Sequence, residues 1–412
     1  MEGRMRSRSP VNRSRLTWLM PFVFLAPGCG DEGGGGGFGG GGSPIGGGEP
    51  TAASVYVTNS GSDNISAYTV NGTTGGLSAI AGSPVANVST PSAIAVSRNG
   101  FFAFATNSQT NKVTSFRIGT DGGLLLASGT ATSPNPASVG TAPSAVAISS
   151  DTEFLYVANR GSDSVTAFTI GATGILTLVP PEAGTPNPVA AGGSAPVSLV
   201  GSATDRFLYV ANSADNTVSV FQIETSGLLK LVPPTGSLRN PVAVGGNAPS
   251  ALALSSTGQF LYVANRASNN VTVFQVETSG LLTLIPTAGG STNPVPVGGT
   301  SPNGIAVAPN GQFLYTANGG GNVSAFTIGS NGLLTLVPAS GTTPNPIPAG
   351  TSPSALTISQ DGQFLYVANR GGNVSAYTVG SESGTLTPLT PLLGNPFPAG
   401  NSPSGIAMQR PL

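Results

Sequence analysis

The sequence predicts an all-β protein, a seven-bladed β-propeller of four-stranded blades that occupies residues 54–412. Two repeated patterns lead to this prediction. A motif of an aromatic residue, two small or apolar residues and an asparagine recurs seven times, 48 to 53 residues apart. A second pattern, proline followed by small and apolar residues, also recurs seven times. Repeats of this length with four strands each are typical of propellers.

The two patterns alternate along the chain, so each repeat contains one of each. The first begins at Tyr56, Phe104, Tyr156, Tyr209, Tyr262, Tyr315 and Tyr366, and the second at Pro91, Pro143, Pro196, Pro249, Pro302, Pro353 and Pro403.

One repeat shows how the strands are assigned. Between Pro249 and Pro302 the apolar runs predict strands at 250–254, 260–265, 270–276 and 281–285, separated by turn residues. The second of these, FLYVAN, is apolar at every position except the last, as expected of a strand whose sheet is covered on both faces. The Pro- and Gly-rich segment that follows is expected to be a loop between blades.

The two ends of the chain predict how the ring closes. The first repeat starts at its second strand, around Val55, whereas the chain ends in an additional first strand, residues 404–408. Pairing the C-terminal strand with the N-terminal repeat completes one blade. It also removes the open sheet edges that would otherwise promote aggregation.

The composition agrees with a folded, turn-rich β protein. Gly (60) and Pro (35) are abundant, but only 8% of residues are charged and 39% are hydrophobic, unlike a disordered chain.

Five of the 15 basic residues lie within residues 4–15; without them and Glu2 the net charge falls from −1 to −5. The remainder lacks a basic cluster, so nucleic acid is not an expected partner.

The N-terminus predicts export. The apolar stretch 16–26 is too short to span a bilayer and contains Pro21, which favours a signal peptide over residues 1–28. The sequence Leu25-Ala26-Pro27-Gly28-Cys29 resembles a bacterial lipoprotein signal, in which the cysteine is lipidated. Cys29 is the only cysteine, and the Gly-rich residues 29–53 suit a flexible tether. We expect a cell-envelope protein that touches the membrane only through this anchor.

At Tyr56-Val57-Thr58-Asn59 the chain resembles the YVTN-repeat and lactonase-like family of seven-bladed propellers, and the resemblance extends over the seven repeats. It implies the fold, whereas its functional implication is broad. The family includes enzymes that hydrolyse or form lactones, subunits associated with electron transfer, surface-layer proteins and many propellers with no known activity.

The chain contains no histidine. This excludes Ser-His-Asp and Cys-His catalysis and histidine-ligated metals. Lactone-processing members of the family are expected to use a histidine with arginine and glutamate, and that role maps onto no residue here. We expect no cofactor and no metal site, and no catalytic residue can be assigned.

Three arginines are the candidate ligand-binding residues. Arg160, Arg266 and Arg370 each follow the asparagine of the aromatic motif, so they should lie on one face of the propeller and could bind a carboxylate or phosphate. Alternatively, each is a solvated charge that pairs with a neighbour such as Asp163. Aspartates and asparagines in the same loops could hold Ca²⁺, but such residues commonly cap turns.

The sequence therefore favours a lipid-anchored propeller that acts as a binding or structural module at the cell envelope, not an enzyme. We expect a monomer whose partner is an envelope protein or a small carbohydrate-like ligand. The alternative function is that of a lactone hydrolase similar to 6-phosphogluconolactonase.

Overall fold

The computed structural model describes residues 52–287, 292–339, 344–390 and 394–409. The signal peptide, Cys29 and nearly all of the Gly-rich tether lie outside these residues, so the structure does not test those predictions. All regular secondary structure in the described residues is β-strand, arranged as seven sheets. Over the same residues, no helix has the length and apolar character needed to span a membrane.

Each sheet contains four strands of repeated length. The inner strands are Pro91–Val96, Pro143–Ile148, Pro196–Gly201, Pro249–Leu254, Pro302–Val307, Pro353–Ile358 and Pro403–Gln409. The second strands are Ser54–Asn59, Phe102–Asn107, Phe154–Asn159, Phe207–Asn212, Phe260–Asn265, Phe313–Asn318 and Phe364–Asn369, and we number blades 1 to 7 in this order. The last inner strand, Pro403–Gln409, belongs to blade 1, and the other six belong to blades 2 to 7 in the order given. The third strands are Asn64–Val70, Lys112–Ile118, Ser164–Ile170, Thr217–Ile223, Asn270–Val276, Asn322–Ile328 and Asn373–Val379. The outer strands are Leu77–Ala79, Leu124–Leu126, Leu176–Leu178, Leu229–Leu231, Leu282–Leu284, Leu334–Leu336 and Leu386–Pro388.

Six blades carry a short fifth strand that the sequence analysis assigned to loops. These two-residue strands are Ala137–Ser138, Val189–Ala190, Val242–Ala243, Val295–Pro296, Ile347–Pro348 and Phe397–Pro398, and each pairs with the third strand of its own blade. Asn187 helps to hold one of these segments in place. Its side chain accepts a hydrogen bond from Ala167 N and donates to the carbonyls of Ala167 and Val179, at 2.8–3.0 Å. An Asn-Pro pair recurs in the same segment of all six blades, and its asparagine donates equivalent hydrogen bonds at Asn135, Asn240, Asn293, Asn345 and Asn395, so these pairs are structural.

The predicted closure of the ring is confirmed. In blade 1 the C-terminal strand Pro403–Gln409 pairs antiparallel with Ser54–Asn59, with Val57 opposite Ile406. The buried Gln409 side chain donates to the Gly100 carbonyl at 3.1 Å and accepts from the Tyr56 hydroxyl at 3.3 Å. The last described residue of the chain thereby joins blades 1 and 2.

The second strands form the core because both of their faces are covered. Alternate residues point to opposite faces of a strand. In blade 4 Tyr209 and Ala211 pack in one cluster with Leu261 and Val263 of blade 5, and all four side chains are fully buried. The same pairing closes the ring, where Tyr366 of blade 7 packs with the valines of blade 1. The apolar FLYVAN pattern thus encodes contacts with both neighbouring blades.

In four of the seven blades the motif tyrosine also fixes its blade to a turn of the next blade, through the hydroxyls of Tyr56, Tyr156, Tyr315 and Tyr366. Tyr156 of blade 3 donates a 3.2 Å hydrogen bond to the Gly227 carbonyl of blade 4. Gly227 has φ +84°, and a Cβ there would lie 2.3 Å from the Phe154 ring, so the site requires glycine. Burial raises the pKa of the Tyr156 phenol above its usual range, which keeps it protonated as a donor. The motif aromatics are therefore core residues, as the sequence predicts.

We expect that deleting residues 403–412 leaves the protein aggregated or unfolded, because blade 1 loses its inner strand and exposes a sheet edge. Gln409→Ala should be milder and lower stability by about 1–3 kcal/mol, the usual effect of removing a buried hydrogen-bond partner. Size-exclusion chromatography and thermal unfolding measure both effects, with Gln360→Ala, an exposed position, as the control. A monomeric deletion variant with unchanged melting would contradict the closure.

Candidate active site at the channel mouth

The inner strands line a central channel, and a β-bulge shapes one end of each strand. In every blade the register shifts at the second residue, immediately after the first proline. A bulge redirects the side chain of the extra residue. These residues are Ser92, Ser144, Val197, Ser250, Asn303, Ser354 and Ser404.

Six of the seven bulged residues donate a hydrogen bond to the next blade. The acceptor is always the carbonyl of the first proline of the neighbouring inner strand, at 2.6–2.8 Å. The donor and acceptor pairs are Ser92–Pro143, Ser144–Pro196, Ser250–Pro302, Asn303–Pro353, Ser354–Pro403 and Ser404–Pro91. Together they form a ring of side-chain bonds, which we call the mouth ring.

The mouth ring is interrupted at blade 4. Here the bulged residue is Val197, which has no donor, so no described side chain donates to the Pro249 carbonyl. The hydroxyl is displaced by one residue to Ser198, where it accepts a 3.1 Å hydrogen bond from Leu252 N. Blade 4 is thus the single exception in a sevenfold pattern.

A cavity of about 630 Å³, within the range of ligand pockets, occupies this end of the channel and extends past the mouth ring to the fourth residue of several inner strands, such as Ile94 and Leu356. Residues from all seven blades line it, and they include the three arginines singled out in the sequence. Arg160, Arg266 and Arg370 belong to blades 3, 5 and 7, and all three are exposed. The structure therefore brings these residues to one mouth of the channel.

In the other four blades the residue that follows the motif asparagine is small. It is serine in blades 1, 2 and 4 and Gly319 in blade 6, so the arginines occupy alternate blades around half of the rim. Ser60 and Ser108 donate to backbone carbonyls of adjacent loops, at 2.9 and 2.8 Å. The hydroxyl of Ser213 in blade 4 has no hydrogen-bond partner among the described residues.

The arginines are not neutralised by the described acidic residues. Across the described ranges the only ion pair is Lys230–Glu224, at 3.5 Å. Asp163, the suggested partner of Arg160, instead accepts a hydrogen bond from Ala195 N at 2.7 Å. The pairing that we considered as an alternative is therefore not formed.

Other polar residues of the same loops also cap backbone groups. Asp63 accepts from Thr90 N at 2.6 Å, and Asp215 accepts from Ser194 N at 2.7 Å. Asn269 accepts from Ser301 N at 2.7 Å. The described residues contain no cluster of acidic, histidine or cysteine side chains suited to a metal ion. These contacts match the turn-capping interpretation of the loops.

The cavity is cationic and lacks an obvious proton acceptor. Its lining contains three arginines and no aspartate, glutamate, lysine, tyrosine or cysteine, in a chain without histidine. Guanidinium groups bind carboxylates and phosphates and can stabilise a developing oxyanion. A lining of this composition can bind an anion, and any hydrolysis there would depend on electrostatic stabilisation of the attack by water or hydroxide.

The fold and this mouth define a closed seven-bladed propeller with an arginine-lined central site. The chain matches the model of the family described as lactonase, seven-bladed β-propeller, over residues 47–245, 193–347 and 299–392. These segments together span most of the chain. The protein belongs to this lactonase propeller family.

Curated relatives carry the name 6-phosphogluconolactonase. The one from Serratia proteamaculans is 24% identical over 279 residues, which cover 67% of this chain and 76% of the relative. The one from Yersinia pestis is 27% identical over 248 residues, which cover 58% of this chain and 66% of the relative. Both matches leave part of each protein unmatched.

Solved structures show the same fold. The periplasmic gluconolactonase of Pseudomonas aeruginosa is similar with a TM-score of 0.65 and 21% identity, covering 88% of this chain and all of the other. A protein from Lactobacillus plantarum reaches a TM-score of 0.69 at 19% identity, covering 87% of this chain and 99% of the other. The family match supports the alternative drawn from the sequence, a lactonase-type propeller, better than an envelope binding module.

We expect the mouth to bind inorganic phosphate, and each of Arg160→Ala, Arg266→Ala and Arg370→Ala to weaken that binding by about tenfold, because a charge-assisted contact is lost. Isothermal titration at low and high salt measures this, and affinity should fall with salt. Arg98→Ala is the matched control, since Arg98 is also exposed but lies at the opposite end of the channel. Equal losses for all four variants would place the anion elsewhere.

Proposed function

We propose that the protein is a lactone hydrolase that acts on anionic sugar lactones at the channel mouth. The observation that carries this proposal is the cavity lined by three arginines without a neutralising carboxylate. Membership of the lactonase family and the names of the curated relatives support the reaction class. A phosphate or carboxylate on the sugar provides the group that the arginines bind.

The chemistry assigns two tasks to the arginines. One guanidinium or a pair of them holds the anionic group of the substrate, which positions the lactone at the mouth. A remaining guanidinium faces the carbonyl oxygen and stabilises the negative charge that develops when water or hydroxide attacks. An attacking water loses a proton to solvent, the ester C–O bond then breaks, and the ring oxygen takes a proton from solvent and leaves as a hydroxyl.

A second function is supported by the composition of the cavity. With no described general base in the lining, the same mouth would also suit a protein that binds sugar acids or their phosphates without turning them over. That is the binding module favoured by the sequence, now with a defined surface. Binding without turnover distinguishes it from the hydrolase.

We expect the full chain to hydrolyse 6-phosphogluconolactone faster than the spontaneous reaction, and Arg160→Ala, Arg266→Ala and Arg370→Ala to reduce kcat/KM by about tenfold or more each. Glucono-1,5-lactone, which lacks the phosphate, should react with a higher KM. With this neutral substrate kcat/KM should rise with pH without an inflection near pH 6–7, because no carboxylate or histidine lines the cavity.

Continuous proton-release assays, corrected for spontaneous hydrolysis, measure these rates, with Arg98→Ala as the control. No turnover combined with tight binding of 6-phosphogluconate would reject the hydrolase and leave the binding module.

We also propose that the protein is exported and lipidated at Cys29, so that the propeller is held at the cell envelope by residues 29–53. The support is the basic and apolar N-terminal pattern, the single cysteine and the Gly-rich segment that follows. Such a tether would let the propeller move freely relative to the membrane.

Expression in bacteria grown with labelled palmitate tests the anchor. We expect label to be incorporated into the full chain and lost in Cys29→Ala, while Cys29→Ala remains exported. The anchor would be disproved by an unlabelled wild-type protein or by labelling that persists without Cys29.

A further inference from the structure

We propose that blade 4 forms a polyol-recognition subsite that selects hydroxylated anions, such as sugar acids and their phosphates, over simple anions. This proposal rests on the proposed function, because it specifies which part of the same mouth reads the sugar. The subsite consists of Val197, Ser198 and Ser213 of blade 4 together with the Pro249 carbonyl of blade 5. All four residues line the cavity.

In the other blades, the side-chain donors that face the mouth are engaged in hydrogen bonds within the protein. In six blades the bulged residue donates to the next proline carbonyl. The rim serines of blades 1 and 2 donate to backbone carbonyls. The hydroxyl protons of these serines are therefore engaged by the scaffold, and the serines can offer a ligand only their acceptor lone pairs.

Blade 4 differs because its hydroxyl donors, and the carbonyl acceptor that it faces, are not engaged by described side chains. Val197 cannot donate to the Pro249 carbonyl, so that acceptor receives no described side-chain donor. Ser198 Oγ accepts from Leu252 N at 3.1 Å, but its hydroxyl proton has no described acceptor. The Ser213 hydroxyl has no described partner. The sector thus presents one carbonyl acceptor and two hydroxyl groups, which is the chemistry that recognises vicinal hydroxyls.

The position of blade 4 in the ring also suits a ligand-binding role. Blade 4 lies between blades 3 and 5, which carry Arg160 and Arg266. A ligand whose anionic group contacts either arginine can therefore extend its carbon chain along this sector. Val197 adds an apolar surface on which the C–H groups of a sugar can pack. Gly319 marks the other gap between arginines, in blade 6, and contributes no side chain.

The decisive variant is Val197→Ser, which restores the donor found at this position in five other blades and so occupies the Pro249 carbonyl. Isothermal titration of the full chain would compare 6-phosphogluconate with inorganic phosphate. We expect Val197→Ser to weaken 6-phosphogluconate binding by about fivefold, the effect of one hydrogen bond, and to leave phosphate binding unchanged.

Val197→Ala is the matched control. It removes apolar surface but leaves the Pro249 carbonyl available, so it should lose less affinity for 6-phosphogluconate than Val197→Ser. Ser198→Ala and Ser213→Ala should each weaken 6-phosphogluconate but not phosphate. Arg266→Ala should weaken both ligands.

The outcomes separate this proposal from the proposed function. If Val197→Ser and both serine variants bind 6-phosphogluconate as the wild type does, the subsite is wrong, whether or not the wild type hydrolyses lactones. If the wild type binds 6-phosphogluconate no more tightly than phosphate, the subsite is also wrong. If Val197→Ser behaves as expected but no lactone is hydrolysed, the hydrolase is wrong and the subsite stands as part of a binding protein.

Discussion

Burial of the second strand of each blade between its two neighbours is the interaction on which the rest of this structure depends. A single four-stranded sheet with two apolar faces cannot be stable in water, because neither face is covered. Stacking the blades covers both faces, and only a closed ring leaves no blade exposed. Closure in turn aligns the inner strands around one channel. It also brings the same repeat position of every blade to the same mouth, which is how residues more than 200 positions apart, Arg160 and Arg370, come to line one cavity.

Much of this architecture could be predicted from the sequence because it follows from repetition. Seven copies of the aromatic motif fix the number of blades, and the incomplete first repeat together with the extra strand at the end predicts the closure. The convergence of Arg160, Arg266 and Arg370 follows from their shared place after the motif asparagine. Predicting their convergence therefore required no distances. It required only that the residue after the motif asparagine lies at the same end of the second strand in every blade.

The features that were missed are either too short to show periodicity or depend on contacts between repeats. The fifth strands are two residues long, such as Val189–Ala190, and carry no periodic signal. The mouth ring could not be foreseen because a serine after proline shows no preference for the carbonyl of the next blade until the bulge directs it there. In four blades the first proline of the inner strand is followed by Ser-Ala, whereas in blade 4 it is followed by Val197-Ser198. For the same reason this difference looks like ordinary sequence variation. An alignment of the seven inner strands would have shown Val197 as the one bulged residue without a side-chain donor, but not the consequence for the mouth ring.

The site differs from the chemistry expected of lactone-processing members of the family, since the chain has no histidine and the cavity has no described carboxylate. The charged groups that line the cavity are three arginines, on a protein in which only 8% of residues are charged. Asp63, Asp163 and Asp215 lie on the same face, yet each directs an oxygen to a backbone amide. The turns are thereby stabilised without neutralising the mouth, so structural and electrostatic requirements are met by separate residues.

The interrupted mouth ring has a consequence for how a bound molecule is oriented. Seven identical blades would offer a small ligand seven equivalent poses, and the protein could not distinguish them. Selecting one of seven equal states costs about 1.2 kcal/mol of entropy at room temperature, the value of RT ln 7. A single irregular blade can exceed this amount with one or two hydrogen bonds. Loss of symmetry at one blade is thus sufficient to make the seven poses unequal in energy. An asymmetric ligand can then bind in one defined orientation.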